Sequence, residues 1–151
     1  MMLKQLFTSY SRRDARQVAE IVRLLRVTGA YVFRDEDNIQ PGKKWRTEIS
    51  EALTSADTIL VFWGRNAQAS EEVRAEYEQA IKLGKDIVPI LLELLALPAA
   101  LAEYQYVDFS ELFYPHSPEG LERHARQLAI TLMERIFQEA KTKDRSQKSD
   151  R

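Results

Sequence analysis

The segment "DTILVFWGRNAQASEEVRAEYEQAIKLG", residues 57–84, decides the fold class. It opens with a nearly continuous apolar run over residues 58–63, which is typical of a strand buried on both faces of a parallel sheet. The following stretch, residues 70–84, predicts a helix that begins near Ser70 and ends at Gly84. A buried strand followed at once by a helix indicates a strand–helix–strand unit with parallel strands.

The same alternation continues on both sides of this segment. Further strands are predicted over residues 3–10, 30–33, 86–92 and 104–109, and further helices over residues 11–29, 45–56 and 117–140. Because strand and helix alternate about five times, we expect an open α/β sandwich of three layers, with about five parallel strands and helices on both faces. Residues 1–141 form one domain in this interpretation, and the polar tail 142–151 is expected to be disordered.

Composition excludes several classes of function. The 151 residues include 22 basic and 23 acidic side chains, so no general basic field attracts nucleic acid. Cysteine is absent, which removes thiolate chemistry and fits a reducing, cytoplasmic compartment. Charged residues and prolines interrupt the longest apolar stretch, residues 87–102, and no secretory signal is evident at the start. The sequence therefore predicts a chain with no membrane segment and no nucleic-acid partner.

The ends of the first three predicted strands are the places to look for a site. In open parallel sheets, ligands bind beyond the carboxyl ends of the strands, here residues 8–14, 34–45 and 63–70. The five glycines lie too far apart for a dinucleotide fingerprint or a P-loop, so we expect no bound nucleotide cofactor. A serine hydrolase motif and a clustered metal-ligand set are also missing, and no metal is predicted.

The predicted helix over residues 70–84 carries glutamates in unequal positions. Its apolar stripe consists of Val73, Tyr77, Ala80 and Ile81. At about 100° per residue, Glu76 borders this stripe, whereas Glu71 and Glu78 point away from it. Acidic charge at Glu71 and Glu72 favours the helix start after the N-cap Ser70, and Glu78 can pair with Lys82. Glu76 is thus the carboxylate that can reach a cleft without entering the core.

The strand ends resemble, in order and spacing, the TIR (Toll/interleukin-1 receptor) domain, and in particular its bacterial branch. The segments that carry the resemblance are "LFTSYSRRD" (6–14), "VFRDEDNIQPGKKWRTEISEAL" (32–53), "ILVFWGRNAQAS" (59–70) and "SEEVRAEYEQAIKLGKDIVPILL" (70–92). The likeness is close up to residue 92 and looser beyond it. It implies a flavodoxin-like fold.

The resemblance also implies two possible functions. Many TIR domains cleave NAD+ at the nicotinamide–ribose bond and release ADP-ribose or a cyclised or conjugated ADP-ribose signal, in bacteria as part of antiphage defence. In this reading NAD+ is a substrate rather than a cofactor, and the family's essential glutamate matches Glu76. Other TIR domains act as non-catalytic interaction modules, and some bacterial ones mimic host domains. A nucleoside deoxyribosyltransferase-like enzyme is a third and weaker alternative.

Seven further residues are predicted to bind substrate by the same resemblance. They are Tyr10, Arg12, Arg13, Arg34, Asp35, Trp45 and Ser70. An aromatic ring after the first strand can cover the nicotinamide end, and an arginine there can pair with the diphosphate. The alternatives are structural: solvated arginines beside a helix-capping Ser11, a core anchor at Trp45 and an N-cap at Ser70.

Two positions depart from the family pattern. Many relatives have a serine where this chain has Gly64, and a large apolar residue where it has Glu72. The first change removes a possible substrate hydrogen bond, and the second adds a charge near Glu76. The resemblance further implies partners: other TIR domains through self-association, and a separate effector that responds to the product.

Overall fold

The structure, a computed structural model, describes residues 5–35, 41–113, 126–127 and 129–136. The predicted tail 142–151 lies outside these residues, as do much of the predicted final helix and part of the loop before Trp45. All five strands are parallel, in the order β2-β1-β3-β4-β5. Their bounds are β1 Gln5–Ser9, β2 Tyr31–Phe33, β3 Thr58–Trp63, β4 Asp86–Leu91 and β5 Val107–Asp108. This strand order is that of the flavodoxin-like fold, which confirms the predicted class.

The helices agree with the prediction in place and differ in detail. They are α1 Ala15–Val27, α2 Trp45–Ser55, α3 Arg65–Gln68, α4 Glu71–Lys82, α5 Ala99–Ala102 and α6, the helical residues 129–136. Short 3₁₀ turns cover Arg12–Asp14 and Ser110–Phe113. The one-turn helices α3 and α5 were not predicted, because four residues are too few to show a helical period. The fifth strand is shorter than the predicted 104–109.

Helices cover both faces of the sheet, as the alternation predicts. All six side chains of β3 are buried. Leu60 and Phe62 face a core shared with α1 and α6, while Ile59, Val61 and Trp63 face one shared with α2, α4 and α5. A strand buried on both sides has no polar face, which explains the unbroken apolar run in the sequence.

Local signals fix the ends of α4, the helix after this central strand. The Ser70 hydroxyl accepts a hydrogen bond from the Val73 backbone N–H at 3.2 Å, as expected for an N-cap. Gly84 has a φ of +67°, and Lys85 N–H bonds to the Ala80 carbonyl at 3.0 Å, which closes the helix in a left-handed turn. Ser70 and Gly84 thus fix where α4 begins and ends, and Glu76 lies on the side of the helix that faces the sheet.

Candidate functional site

Glu76 lies against the carboxyl end of β1. The Ser9 hydroxyl, which is fully buried, donates a hydrogen bond to Glu76 Oε1 at 2.8 Å. The three other glutamates of α4, Glu71, Glu72 and Glu78, are exposed, and Glu78 pairs with Arg74 at 3.0 Å rather than with Lys82. The position of Glu76 beside the apolar stripe is therefore as predicted, and it alone among the helix glutamates reaches the sheet.

The surroundings of Glu76 favour its neutral form. Burial raises the pKa of Glu76 to about 8, with smaller contributions in the same direction from the negative charges of Asp35 and Glu72. The hydrogen bond from Ser9 opposes this shift, because it stabilises the ionised carboxylate. A carboxyl with its pKa near neutrality in a cleft is a candidate functional group.

A group of hydrogen-bonded and paired polar side chains lies beside Glu76 and joins the ends of β1 and β2. The Tyr10 hydroxyl donates to Asp35 Oδ1 at 2.7 Å. Arg12 Nη2 lies 3.7 Å from Asp35 Oδ2, with its own side chain 70% exposed. Asp35 is thereby held between an aromatic hydroxyl and an exposed cation, two residues after the end of β2.

These groups line one cleft between β1, α2 and α4. We call it the Glu76 cleft and define it by Tyr10, Arg12, Asp35, Trp45, Glu72 and Glu76. Its volume is about 190 Å³. Trp45, the first residue of α2, is 43% exposed, and the Arg46 guanidinium carbon lies 5.4 Å from the centre of its ring. The cleft thus combines a partly buried carboxyl, an aromatic wall and guanidinium groups.

The structure separates the other predicted binding residues from this cleft. Arg13 lines a different cleft, together with Asp14 and Glu93. Ser70 caps α4 through its hydroxyl, and Arg34 follows β2 without lining either cleft. Of the seven predicted binding residues, Tyr10, Arg12, Asp35 and Trp45 therefore lie together around Glu76.

The two departures from the family pattern have different structural settings. Glu72 lines the Glu76 cleft. The space beside Gly64 is occupied by the Glu93 side chain, since a Cβ atom at position 64 would lie 2.9 Å from Glu93 Oε1. The Glu93 carboxylate accepts from the Arg65 backbone N–H and from Arg65 Nε, each at 3.1 Å. A carboxylate from β4's end thus takes the space that a side chain at position 64 would need.

Sequence reasoning missed Ser9 and Glu93. Ser9 ends a buried strand, and a serine there is equally typical of strand termination. Its contact with Glu76 spans 67 positions, and no local period reports such a distance. Position alone could have drawn attention to Ser9, because it lies at the carboxyl end of a central parallel strand.

The raised pKa of Glu76 predicts a pH-dependent effect of Glu76→Gln on stability. Between pH 4.5 and about pH 8, Glu76 keeps its proton in the folded protein and releases it in the unfolded chain. Rising pH therefore lowers the free energy of unfolding over this range. Glutamine cannot ionise and escapes this loss. Above pH 8 we expect the free energy of unfolding of the variant to exceed that of the wild type by about 2–4 kcal/mol. This corresponds to a Tm higher by roughly 5–10 °C.

Thermal unfolding across this pH range measures the effect. Below pH 4.5, where the Glu76 carboxyl is mostly protonated in both the folded and the unfolded wild type, the two proteins should unfold at similar temperatures. The matched control is Glu78→Gln, on the exposed side of the same helix, for which we expect a small difference that varies little with pH. A gap between wild type and Glu76→Gln that stays constant from acid to alkaline pH would contradict the assigned pKa.

Solved structures with this fold include TIR domains and an enzyme of nucleoside chemistry. The TIR domain of the Toll-related receptor TRR-2 from Hydra magnipapillata superposes with a TM-score of 0.64 at 21% identity, over 82% of this chain and 98% of that one. The TIR domains of the activated Roq1 resistosome give 0.65 at 15% identity, over 87% and 98%. A 2-deoxyribosyltransferase from Bacillus psychrosaccharolyticus gives 0.58 at 18% identity, over 77% and 94%.

At these identities the likeness concerns the fold alone, and the family rests on the sequence comparison. No curated protein matches the chain at a significant level. Among the described residues, no helix has the length and apolar character needed to cross a bilayer, and no group of three or more acidic or histidine side chains is placed to hold a metal ion. A family model described as a TIR domain matches residues 6–125, which is most of the sequence. The chain therefore belongs to the TIR domain family.

Proposed function

We propose that this TIR domain is an NAD+ glycohydrolase that cleaves the nicotinamide–ribose bond. The observation that supports this most directly is the Glu76 carboxyl, held by Ser9 at 2.8 Å in a cleft with an aromatic wall. The products are nicotinamide and ADP-ribose, or a cyclic or conjugated form of ADP-ribose. Such a product is a signal of the innate-immune type, as in bacterial antiphage defence, and it acts on a separate effector in the cytoplasm.

The chemistry needs one ionised carboxylate and no general acid. The bond between the ribose C1′ and the nicotinamide nitrogen breaks with its electron pair on the nitrogen, so nicotinamide leaves neutral without protonation. The sugar becomes oxocarbenium-like, and Glu76 as a carboxylate stabilises that charge from the side of the ribose hydroxyls. Water then adds to C1′ and loses a proton, which gives ADP-ribose. Capture by a group of the substrate itself gives the cyclic product.

The remaining residues of the Glu76 cleft have separable roles in this proposal. Tyr10 covers the nicotinamide riboside end, and its bond to Asp35 fixes the ring orientation. Arg12, exposed and only loosely paired to Asp35 at 3.7 Å, is available to the diphosphate. Trp45 offers a flat apolar surface at the cleft mouth for a ring of the substrate.

The size of the Glu76 cleft argues for self-association. Its volume of about 190 Å³ is below the range of about 300–1,000 Å³ typical of pockets for drug-sized ligands. In this proposal the nicotinamide riboside end of NAD+ enters the cleft, and the adenosine end extends past its mouth. We propose that a second TIR domain covers that end, and that dilute monomer is therefore weakly active. The direct test is incubation with NAD+ at high protein concentration, with nicotinamide measured by chromatography.

Replacing Ser9 by alanine should lower activity through the protonation state of Glu76. The lost hydrogen bond stabilises the carboxylate, so the pKa of Glu76 rises further and the reactive form becomes scarcer at neutral pH. We expect a fall in kcat/KM of about tenfold near pH 7, and a smaller fall near pH 9. The rate is measured as nicotinamide release across this pH range.

Thr8→Ala is the matched control for Ser9→Ala. Thr8 precedes Ser9, is also buried, and donates its hydroxyl to the Phe33 carbonyl at 2.8 Å, away from Glu76. Both variants lose one buried hydrogen bond from β1, so both lose stability. Only Ser9→Ala should move the pH midpoint of activity upward. If the pH midpoint of activity is the same in Ser9→Ala and Thr8→Ala, the role of Ser9 is structural only.

A non-catalytic interaction module is the second candidate, and Glu72 is the observation that favours it. The negative charge of Glu72 helps to keep Glu76 protonated, and a neutral Glu76 cannot stabilise an oxocarbenium ion. In that case the domain acts by binding other TIR domains, as a scaffold or as a mimic of a host domain. Folded, self-associated protein that releases no nicotinamide from NAD+ would favour this candidate over the enzyme.

A further inference from the structure

A second cleft lies at the point where the connections from β1 and β3 leave the sheet on opposite faces. Ligands of open α/β sheets bind preferentially at such a switch point. We call it the switch-point cleft and define it by Arg13, Asp14, Arg16, Arg65, Asn66 and Glu93. Its volume is about 440 Å³, and it shares no described lining residue with the Glu76 cleft. The switch-point cleft is therefore a separate cleft at the same edge of the sheet.

The Asp14 carboxyl at this cleft has an unused hydrogen-bonding atom. Asp14 is 5% exposed, and its Oδ1 accepts from Asn66 Nδ2 at 2.8 Å. Its Oδ2 is buried and has no hydrogen-bond partner within the described part of the chain, and the side chain makes no capping bond to α1. Burial raises the pKa of Asp14, against the opposing effect of the bond from Asn66. An unsatisfied buried oxygen costs stability, which a hydroxyl from a ligand would restore.

The charge of the switch-point cleft favours an anion. The exposed Arg13 and Arg16 make no ion pair with any residue that the structure describes, whereas Arg65 is neutralised by Glu93 at 3.1 Å. Two guanidinium groups that line one cleft without carboxylate partners can bind a phosphate through paired N–H donors. The cleft therefore has positively charged side chains at its rim and, next to them, a buried Asp14 oxygen that can accept a hydrogen bond from a hydroxyl.

We propose that the switch-point cleft binds a phosphorylated sugar, with the phosphate on Arg13 and Arg16 and a sugar hydroxyl on Asp14 Oδ2. Because Asp14 Oδ2 is buried, this contact requires the lining of the cleft to open around the sugar hydroxyl. The volume suits either a free sugar phosphate or the ribose-phosphate portion of a nucleotide. The inference is independent of NAD+ cleavage at Glu76, since none of the cleft's described residues takes part in it.

The test is an NMR titration of the full chain that follows the Asn66 side-chain amide. Ribose 5-phosphate and 5′-AMP are the two probes, with ribose and inorganic phosphate as partial ligands. We expect saturable shifts with a Kd below about 1 mM for at least one probe, and binding at least about tenfold weaker for each partial ligand. The tighter probe identifies the source of the ligand. Absence of saturation with both probes, or equal affinity for inorganic phosphate, would overturn the proposal.

Variants assign the binding to named side chains. Arg13→Gln combined with Arg16→Gln should weaken binding by about tenfold or more. Arg23→Gln, further along α1 and paired with Glu20, should leave binding within about twofold of the wild type. Asp14→Asn keeps the size of the side chain and should reduce the preference for the sugar phosphate over inorganic phosphate. Glu76→Gln should bind the probe as the wild type does. Binding that is lost in Glu76→Gln and retained in the double arginine variant would place the ligand in the other cleft and refute this one.

Discussion

Glu76→Gln should release nicotinamide from NAD+ at least about 100-fold more slowly than the wild type, measured on self-associated protein. Glutamine retains the shape of the side chain and can still accept the hydrogen bond from Ser9. It lacks the negative charge that stabilises the oxocarbenium-like sugar, so the loss falls on the chemical step. We therefore expect the fall in kcat to be much larger than any change in KM.

Glu78→Gln is the matched control for this prediction. It makes the same chemical change two residues away, at an exposed glutamate paired with Arg74. Its activity should remain within about twofold of the wild type, because surface ion pairs of this kind contribute little. Nicotinamide release that survives in Glu76→Gln would refute the assignment of the catalytic group, whereas an inactive wild type would refute the proposed reaction.

The pH dependence of the reaction should follow the pKa of Glu76. Because that pKa is about 8 in the free protein, the reactive carboxylate is a minor form below it. We expect kcat/KM to rise by about tenfold per pH unit from about pH 6 and to level off near pH 8. The measurement is nicotinamide release at low NAD+ concentration, corrected at each pH for breakdown of NAD+ without protein.

Glu72→Gln should move this profile to lower pH. The negative charge of Glu72 is one of the causes of the raised pKa, so its removal makes the carboxylate form of Glu76 more abundant at neutral pH. Glu71→Gln is the comparison, since Glu71 is exposed on the same turn and does not contribute to that shift. A flat profile between about pH 6 and 8 in the wild type would contradict a catalytic role for a carboxylate with this pKa.

Sequence patterns were sufficient for the fold because they are repeated along the chain. The apolar run of β3, the stripe of α4 and the stop at Gly84 each act within a few residues, and each is found where it was predicted. The short β5 was overestimated because "YQYVDF" has strand-forming residues, whereas only Val107 and Asp108 pair with β4. Strand propensity favours a strand without ensuring a partner for every residue.

The candidate site was predictable in part. Glu76 borders the core stripe, and that position could be calculated from the helical period. The sequence placed Arg12 and Arg13 together, whereas the 3₁₀ turn Arg12–Asp14 directs them to different clefts. The contacts of Ser9 with Glu76 and of Glu93 with Arg65 join residues that are far apart in the chain, so only the folded structure reveals them.

The burial of the Glu76 side chain against the sheet has a consequence for how this lineage can evolve. Because the raised pKa of Glu76 lowers stability at neutral pH, a single mutation at position 76 would remove the proposed chemistry and strengthen the fold in one step. Drift from an enzyme toward an inert adaptor then meets no stability barrier, whereas the reverse path must first accept a weaker protein. Retention of glutamate at this position in living populations would therefore require continuous selection for its function.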